Sequence, residues 1–105
     1  MDQIPAETRK IISQYIKELE RNHIPIQQAV LFGSRSKGSS HEWSDIDIAL
    51  VSEAFGDGRM SDRSKIRRIT LSISSDLSPL PFRPEDFTPE DPLVREILET
   101  GVKVV

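Results

Sequence analysis

The sequence has no cysteine among its 105 residues. Disulfide bonds and thiolate chemistry are therefore excluded, although this absence does not determine the redox compartment. Long apolar runs are also missing, since the longest, such as residues 48–51, are far shorter than a membrane-spanning helix. The first ten residues lack the charged start and apolar stretch of a signal peptide. We therefore expect a soluble, cytoplasmic protein with no membrane segment.

An excess of positive charge is absent too. The chain has 14 basic and 17 acidic residues and a net charge of -3. Its average composition does not indicate a protein that coats nucleic acid or an anionic membrane, so a nucleic-acid role would need a local patch. A chain of this length can bury roughly 65% of its unfolded surface around one core. We therefore predict a single domain over residues 1–105.

Three segments show the apolar spacing of helices. Residues 5–21 predict an amphipathic helix whose apolar stripe packs on a sheet. A second helix is predicted near residues 62–76. A third is predicted near residues 92–100, with Gly101 ending it.

Four shorter segments are typical of strands. Residues 28–32 are apolar and are followed by Gly33, as expected of a buried strand. Apolar residues alternate with others over 45–51. Residues 79–82 contain prolines that suit an edge strand, and residues 102–105 predict a last strand.

The order of these segments predicts an α/β (α+β) fold, with helices packed against a small mixed sheet. Three helices on such a sheet are expected to leave Leu80 and Phe82 poorly covered at its edge. The sequence therefore suggests that a homo-oligomer or another partner covers them.

The turn after the first strand has the composition of a phosphate-binding loop. Gly33 lets the backbone turn sharply, so that its amide approaches an anion closely. Ser34 adds a hydroxyl group, while Arg35 and Lys37 add positive charge that could neutralise a polyphosphate. These two cations also have an ordinary interpretation as solvated loop charges.

Two aspartates lie on the second predicted strand. Asp45 and Asp47 are two residues apart, so their carboxylates share a face and lie close enough to bind the same cations. Two such charges repel each other unless a cation or a proton lies between them. Mg²⁺ is the expected cation because it combines one or two carboxylates with phosphate and water. A pair of these ions supports in-line transfer of a nucleotidyl group.

One pattern joins these two features: Gly33-Ser34 is followed by ten residues and then by the DIDI sequence at 45–48. This pattern resembles the signature of the DNA polymerase β-type nucleotidyltransferase superfamily. The short chain around them is similar to the minimal, MNT-type members. The resemblance implies a polymerase β palm-like fold, a triphosphate such as ATP on the Gly-Ser turn, and two Mg²⁺ ions on Asp45 and Asp47. The substrate-binding residues that it indicates are Gly33, Ser34, Arg35 and Lys37.

The family usually supplies a third carboxylate from a later strand, as a base or a metal ligand. Residues 78–83 contain no acid. Asp76 precedes this segment, and Glu85 and Asp86 follow it. The sequence leaves open which of the three, if any, takes that role.

Three functions remain open at this stage. The first is an enzyme that transfers a nucleoside monophosphate to a hydroxyl acceptor. MNT-type members are often encoded beside a HEPN-domain protein and act as its antitoxin, so the resemblance implies such a partner. The second is a catalytically weak or inactive module that binds a partner protein, and the third is a drug- or nucleotide-modifying resistance enzyme with a pocket shared between protomers.

The stretch from residue 59 to residue 68 is locally basic. Such a run is most often the solvated face of a helix, but binding to a polynucleotide or a partner protein is the alternative. The basic residues in it are Arg59, Arg63, Lys65, Arg67 and Arg68.

Overall fold

The computed structural model describes residues 4–32, 46–56 and 58–105, although not the side chain of residue 59. It confirms the α+β class, with three helices and a four-stranded mixed sheet. None of the helices in these ranges is long and apolar enough to cross a membrane. The elements are α1 (Ala6–Arg21), β1 (Gln28–Phe32), β2 (Ile46–Val51), α2 (Arg59–Ile73), β3 (Leu77–Phe82), a 3₁₀ turn (Pro84–Asp86), α3 (Pro92–Thr100) and β4 (Val102–Lys103).

The strand order is β3-β2-β1-β4, with β3 parallel to β2 and the other neighbours antiparallel. The Asp76 carbonyl accepts a hydrogen bond from the Ile46 amide at 2.7 Å, and the Phe82 carbonyl accepts one from Ser52 at 3.1 Å. In a parallel pair every second residue directs its backbone groups toward the neighbouring strand. Asp76 and Phe82 direct theirs toward β2, so the backbone nitrogens of Pro79 and Pro81 face the open edge. Their missing amide protons cost no ladder bond there, which confirms the edge prediction.

One face of the sheet packs against α1 and α2. Ile46, Ile48 and Leu50 of β2 are fully buried there. The Tyr15 hydroxyl lies 2.6 Å from the Thr70 hydroxyl, and Thr70 in turn donates to the Ile66 carbonyl. Tyr15 is therefore the donor to Thr70. Burial raises the pKa of Tyr15 to about 12, so the phenol remains neutral in the core.

The other face packs against α3, through Val94 and Ile97. Phe82 also lies on this face, and the Phe87 ring meets it edge-on with the ring centres 5.2 Å apart. Phe82 is only 4% exposed as a result. The prediction that Phe82 would be uncovered is therefore wrong, because the connection after β3 folds back over it. Leu80 is half-buried.

Helix α2 begins three residues before its predicted start and ends three residues before its predicted end. The Asp62 side chain accepts from the Gly56 amide, so it holds the preceding loop rather than beginning the helix. At the other end, the Ser74 hydroxyl accepts from the Asp76 amide at 3.1 Å and the Ser74 carbonyl from Leu77 at 3.4 Å. This Ser turn replaces the predicted last helical residues.

Helix α3 has the predicted bounds, and both ends have a local cause. The Asp91 carboxylate accepts from the Leu93 amide at 2.9 Å, and Pro92 occupies the first turn. At Gly101 the backbone is extended, but a side-chain carbon would lie 2.5 Å from the Ile97 carbonyl oxygen. Glycine therefore lets the chain pass close to the helix end into β4, which is shorter than predicted.

Candidate functional site

The structure describes part of the predicted site. Asp47 lies in β2 and is half-buried. The structure gives the position of Asp47, but the role assigned to it stays a prediction, as do the roles of the other site residues. Those outside the described ranges are Gly33, Ser34, Arg35, Lys37 and Asp45.

Asp47 lies where β1, β2 and β3 come together at one end of the sheet. It is directly opposite Phe32 of β1 and Ser78 of β3. Because side chains alternate along a strand, Asp47 shares the α3 face with Ala49. Phe32 immediately precedes Gly33 in the sequence. The chain therefore leaves β1 toward the predicted phosphate loop from the residue beside Asp47.

Asp76 lies at the same end of the sheet as Asp47. Its carbonyl accepts from the amide of Ile46, the residue before Asp47, at 2.7 Å. The Asp76 residue is half-buried, and its carboxylate forms no ion pair with any residue that the structure describes. Asp76 is thus beside the strand that carries Asp47, with its acid group unneutralised by a described cation.

Glu85 and Asp86 lie beyond the opposite end of β3. The last residue of that strand, Phe82, is four residues from Ser78, a distance of roughly 13 Å along the strand. Arg83 donates to the Asp86 carboxylate at 2.6 and 3.1 Å, and it lies 3.8 Å from Glu85. The hydrogen bond from Arg83 lowers the pKa of Asp86. Neither acid is positioned beside Asp47, a distinction that the sequence did not show.

The donor set at the Asp47 end consists of carboxylate oxygens. Among residues 4–32, 46–56 and 58–105, no group of three or more His, Cys, Asp or Glu side chains could hold a metal ion. Asp47 lies on β2, Asp76 lies just before the neighbouring β3, and Asp45 is the remaining predicted member. Carboxylates with phosphate and water are the ligands that Mg²⁺ prefers, so the chemistry of these residues fits that ion.

A wide cleft of about 650 Å³ lies at the far end of β3, and the sequence analysis did not predict it. Arg83 is the basic residue in its lining, and the Asp86 and Glu85 carboxylates lie against it. A triphosphate would meet a local excess of negative charge there. The cleft is therefore a poor candidate for the nucleotide site despite its size. Its acidic lining residues are Asp62, Glu85, Asp86, Glu90 and Asp91.

Comparison with known families gives one match. The family model described as "Polymerase beta, Nucleotidyltransferase" matches residues 14–105. This span contains the Gly33-Ser34 pair, Asp45, Asp47 and Asp76. No curated protein matches the chain.

Proposed function

Because the chain belongs to the polymerase beta nucleotidyltransferase family, we propose that it transfers a nucleoside monophosphate from ATP to a hydroxyl acceptor in a Mg²⁺-dependent reaction. Membership of the family supports nucleotidyltransferase-type activity. The observation that carries the finer proposal is the position of Asp76 beside β2, at the end of the sheet where Asp47 lies. A carboxylate on β2 and another just before the neighbouring β3 suit a metal-bound triphosphate, because Mg²⁺ is held by one or two carboxylates together with substrate phosphates.

The substrate roles in this proposal follow the sequence motif. Asp45 and Asp47 hold the metal, and the Gly33-Ser34 turn binds the triphosphate through its amides and hydroxyl. Arg35 and Lys37 neutralise the remaining phosphate charge. When bound, Mg²⁺ supplies charge neutralisation at the phosphates and lowers the pKa of the attacking hydroxyl.

Asp76 is the third carboxylate of the proposal. If side chains continue to alternate before β3, Asp76 shares the face of Ser78 and Asp47, roughly 8 Å from Asp47 by strand spacing and rise. That backbone separation is compatible with a cation and a substrate oxygen between the two side chains. Asp76 orients the acceptor hydroxyl and takes its proton as the oxygen bonds to the α-phosphorus. The bond from that phosphorus to the bridging oxygen breaks, and pyrophosphate leaves.

The alternative function is a catalytically weak or inactive domain that acts by binding a partner. Its main support was the absence of an acid from residues 78–83. Asp76, just before β3 and hydrogen-bonded through its carbonyl to the Ile46 amide, supplies a candidate for the missing group. We therefore favour the enzyme.

The identity of the acceptor is a separate part of the proposal. The resemblance to MNT-type members suggests a HEPN-domain protein as partner and acceptor, with the chain acting as its antitoxin in the cytoplasm. A resistance enzyme would instead act on a small molecule in a pocket shared between two protomers. Incorporation of label from α-³²P-ATP into a co-purified protein, rather than into a small molecule, would separate these two cases.

Titration calorimetry with ATP tests the site itself. ATP binding is measured in Mg²⁺ and in EDTA, for the wild-type protein and for the Asp45→Ala, Asp47→Ala double variant. The matched control is Glu85→Ala, Asp86→Ala, which removes an equal number of negative charges from the far end of β3. We expect ATP binding that requires both the metal and the two aspartates and that persists in the control. Equal binding in EDTA, or by the Asp45→Ala, Asp47→Ala variant, would overturn the proposed site, and no binding at all would favour the partner-binding module.

A further inference from the structure

Helix α2 carries exposed apolar side chains outside its buried face. Met60 is 84% exposed and Leu71 is 58% exposed. With Arg67 between them they follow the spacing of one helical stripe, turned away from the buried Ile66. Core packing therefore does not account for these apolar residues.

A groove runs between α2 and the open edge of β3. We call it the α2/β3 groove and define it by Leu71, Leu77 and Pro79 on its apolar side, with Arg63 and Arg67 on its rim. Its volume of about 260 Å³ is below the range typical of small-molecule sites, roughly 300–1,000 Å³. The groove is therefore suited to a few protruding side chains rather than to a whole cofactor.

The rim of the α2/β3 groove carries positive charge. Arg63 and Arg67 are exposed, lie one helical turn apart, and form no ion pair with any other residue in the described ranges. Lys65, on a neighbouring side of the helix, instead lies 3.6 Å from Asp62. Among the residues that the structure describes, no acidic one lines the groove. A ligand that complements it therefore carries negative charge beside an apolar group.

The edge of β3 excludes an added strand as that ligand. Pro79 and Pro81 occupy the outward-facing positions and have no amide proton to donate. A strand added there would face carbonyl groups without the alternating donors that strand addition uses. Side-chain contacts from a helix remain available, since they need no backbone pairing.

The mixture of residues favours a protein over a nucleic acid. Arginine beside apolar side chains is typical of the centres of protein interfaces. Interfaces with nucleic acid are more polar and much more positively charged. The net charge of -3 and the exposed apolar residue Leu71 fit the first class better.

We propose that the α2/β3 groove docks an amphipathic helix of a partner protein. An apolar side chain of that helix packs against Leu71 and Leu77, and its flanking carboxylates pair with Arg63 and Arg67. The inference does not depend on nucleotide transfer, since it uses none of the residues proposed for the site.

A charge-exchange experiment with defined peptides tests the proposal. The probe is a fluorescein-labelled, lactam-stapled helical peptide with leucines at i and i+4 flanked by glutamates, and its mate carries lysine for each glutamate. Fluorescence anisotropy should show that wild-type protein prefers the glutamate peptide by about tenfold or more. The Arg63→Glu, Arg67→Glu variant should prefer the lysine peptide, while Leu71→Ser should weaken the favoured pair in both backgrounds.

The matched control is Lys10→Glu, Lys17→Glu, which changes the net charge equally on exposed positions of α1. It should leave the peptide preference unchanged. All substituted positions are exposed, and circular dichroism checks that each variant is folded.

Several results would overturn the proposal. These are equal affinity for both peptides, an equal effect of the α1 control, or no binding up to about 1 mM peptide. Analytical ultracentrifugation provides a further arm, because a dimer that Leu71→Ser dissociates would mean that a second copy occupies the groove. Binding of a single-stranded RNA oligonucleotide that needs Arg63 and Arg67, without binding of either peptide, would reassign the surface to nucleic acid.

Discussion

The two ends of β3 both carry acidic residues, but in different chemical surroundings. At the amino end, Asp76 is half-buried beside the strand of Asp47, and its carboxylate has no ion-pair partner among the described residues. At the carboxyl end, Asp86 accepts two hydrogen bonds from Arg83. Asp62, also at that end, is 3% exposed and accepts from the Gly56 amide.

The difference separates two acids that hold loops of the fold from an acid that forms no ion pair with a described residue. Asp62 and Asp86 neutralise or satisfy groups of the loops around them. Asp76 places a second carboxylate at the end of the sheet where Asp47 lies. Removal of an acid at each end should therefore have opposite consequences for activity and for stability.

The largest effect is expected from Asp76→Asn. Loss of its proton-accepting carboxylate should reduce nucleotide transfer by at least about a hundredfold, without lowering the stability of the free protein. Incorporation from α-³²P-ATP and thermal unfolding measure the two quantities. Asp86→Asn is the isosteric control and should retain activity. Equal losses in both variants would remove the distinction between the two ends.

The next effect is on stability and concerns Asp62→Ala. The Gly56 amide would lose its acceptor, and leaving such a group unsatisfied costs about 1–3 kcal/mol. Urea unfolding should show this decrease, with a smaller one for Asp62→Asn because its amide oxygen still accepts. Transfer activity per folded molecule should be unchanged in both. An activity loss in a stably folded Asp62→Asn variant would mean that the far end also serves the reaction.

A smaller loss is expected from Asp91→Ala at the start of α3. The variant removes the carboxylate that accepts from the Leu93 amide, which typically costs about 1 kcal/mol. Chemical denaturation measures the change, and Asp91→Ser provides a capping side chain as the control. If alanine and serine give the same stability, the side-chain cap does not contribute to holding α3 on the sheet.

The smallest effect concerns the pH dependence of the Arg83–Asp86 pair. Arg83 lowers the pKa of Asp86 in the folded state. The resulting stabilisation is present above the unfolded-state pKa and is lost as the pH falls through the lower, folded-state pKa. Because the pair is exposed, its effect on the unfolding midpoint should be slight.

Carboxyl-detected NMR titration measures that pKa directly. Arg83→Gln should return the pKa of Asp86 toward its ordinary value. Arg95→Gln is the control and should not, because the Arg95 guanidinium donates to the Pro89 carbonyl instead. A value that is unchanged by Arg83→Gln would show that the ion pair is absent in solution.

Local patterns were sufficient for much of the fold. The periodicity of residues 5–21 predicted α1, and the apolar run ending at Phe32 predicted β1. Prolines 79 and 81 predicted the edge position of β3, because a residue without an amide proton cannot donate to a neighbouring strand in any fold. The bounds of α2 were less accurate, since the side chains of Asp62 and Ser74 bond to neighbouring loops.

The sequence by itself determined the family, through the spacing of Gly33-Ser34 and the two aspartates, and the match over residues 14–105 confirms it. It could not determine which later acid lies beside Asp47. That was decided by the parallel register of β3 on β2, which brings Asp76 beside Ile46 and carries Asp86 to the other end. The register of β3 on β2 depends on contacts between residues about thirty positions apart, such as Asp47 and Ser78. It therefore cannot be predicted from a short stretch of sequence. The covering of Phe82 by Phe87 has the same origin, because it arises only when the chain folds back over the sheet.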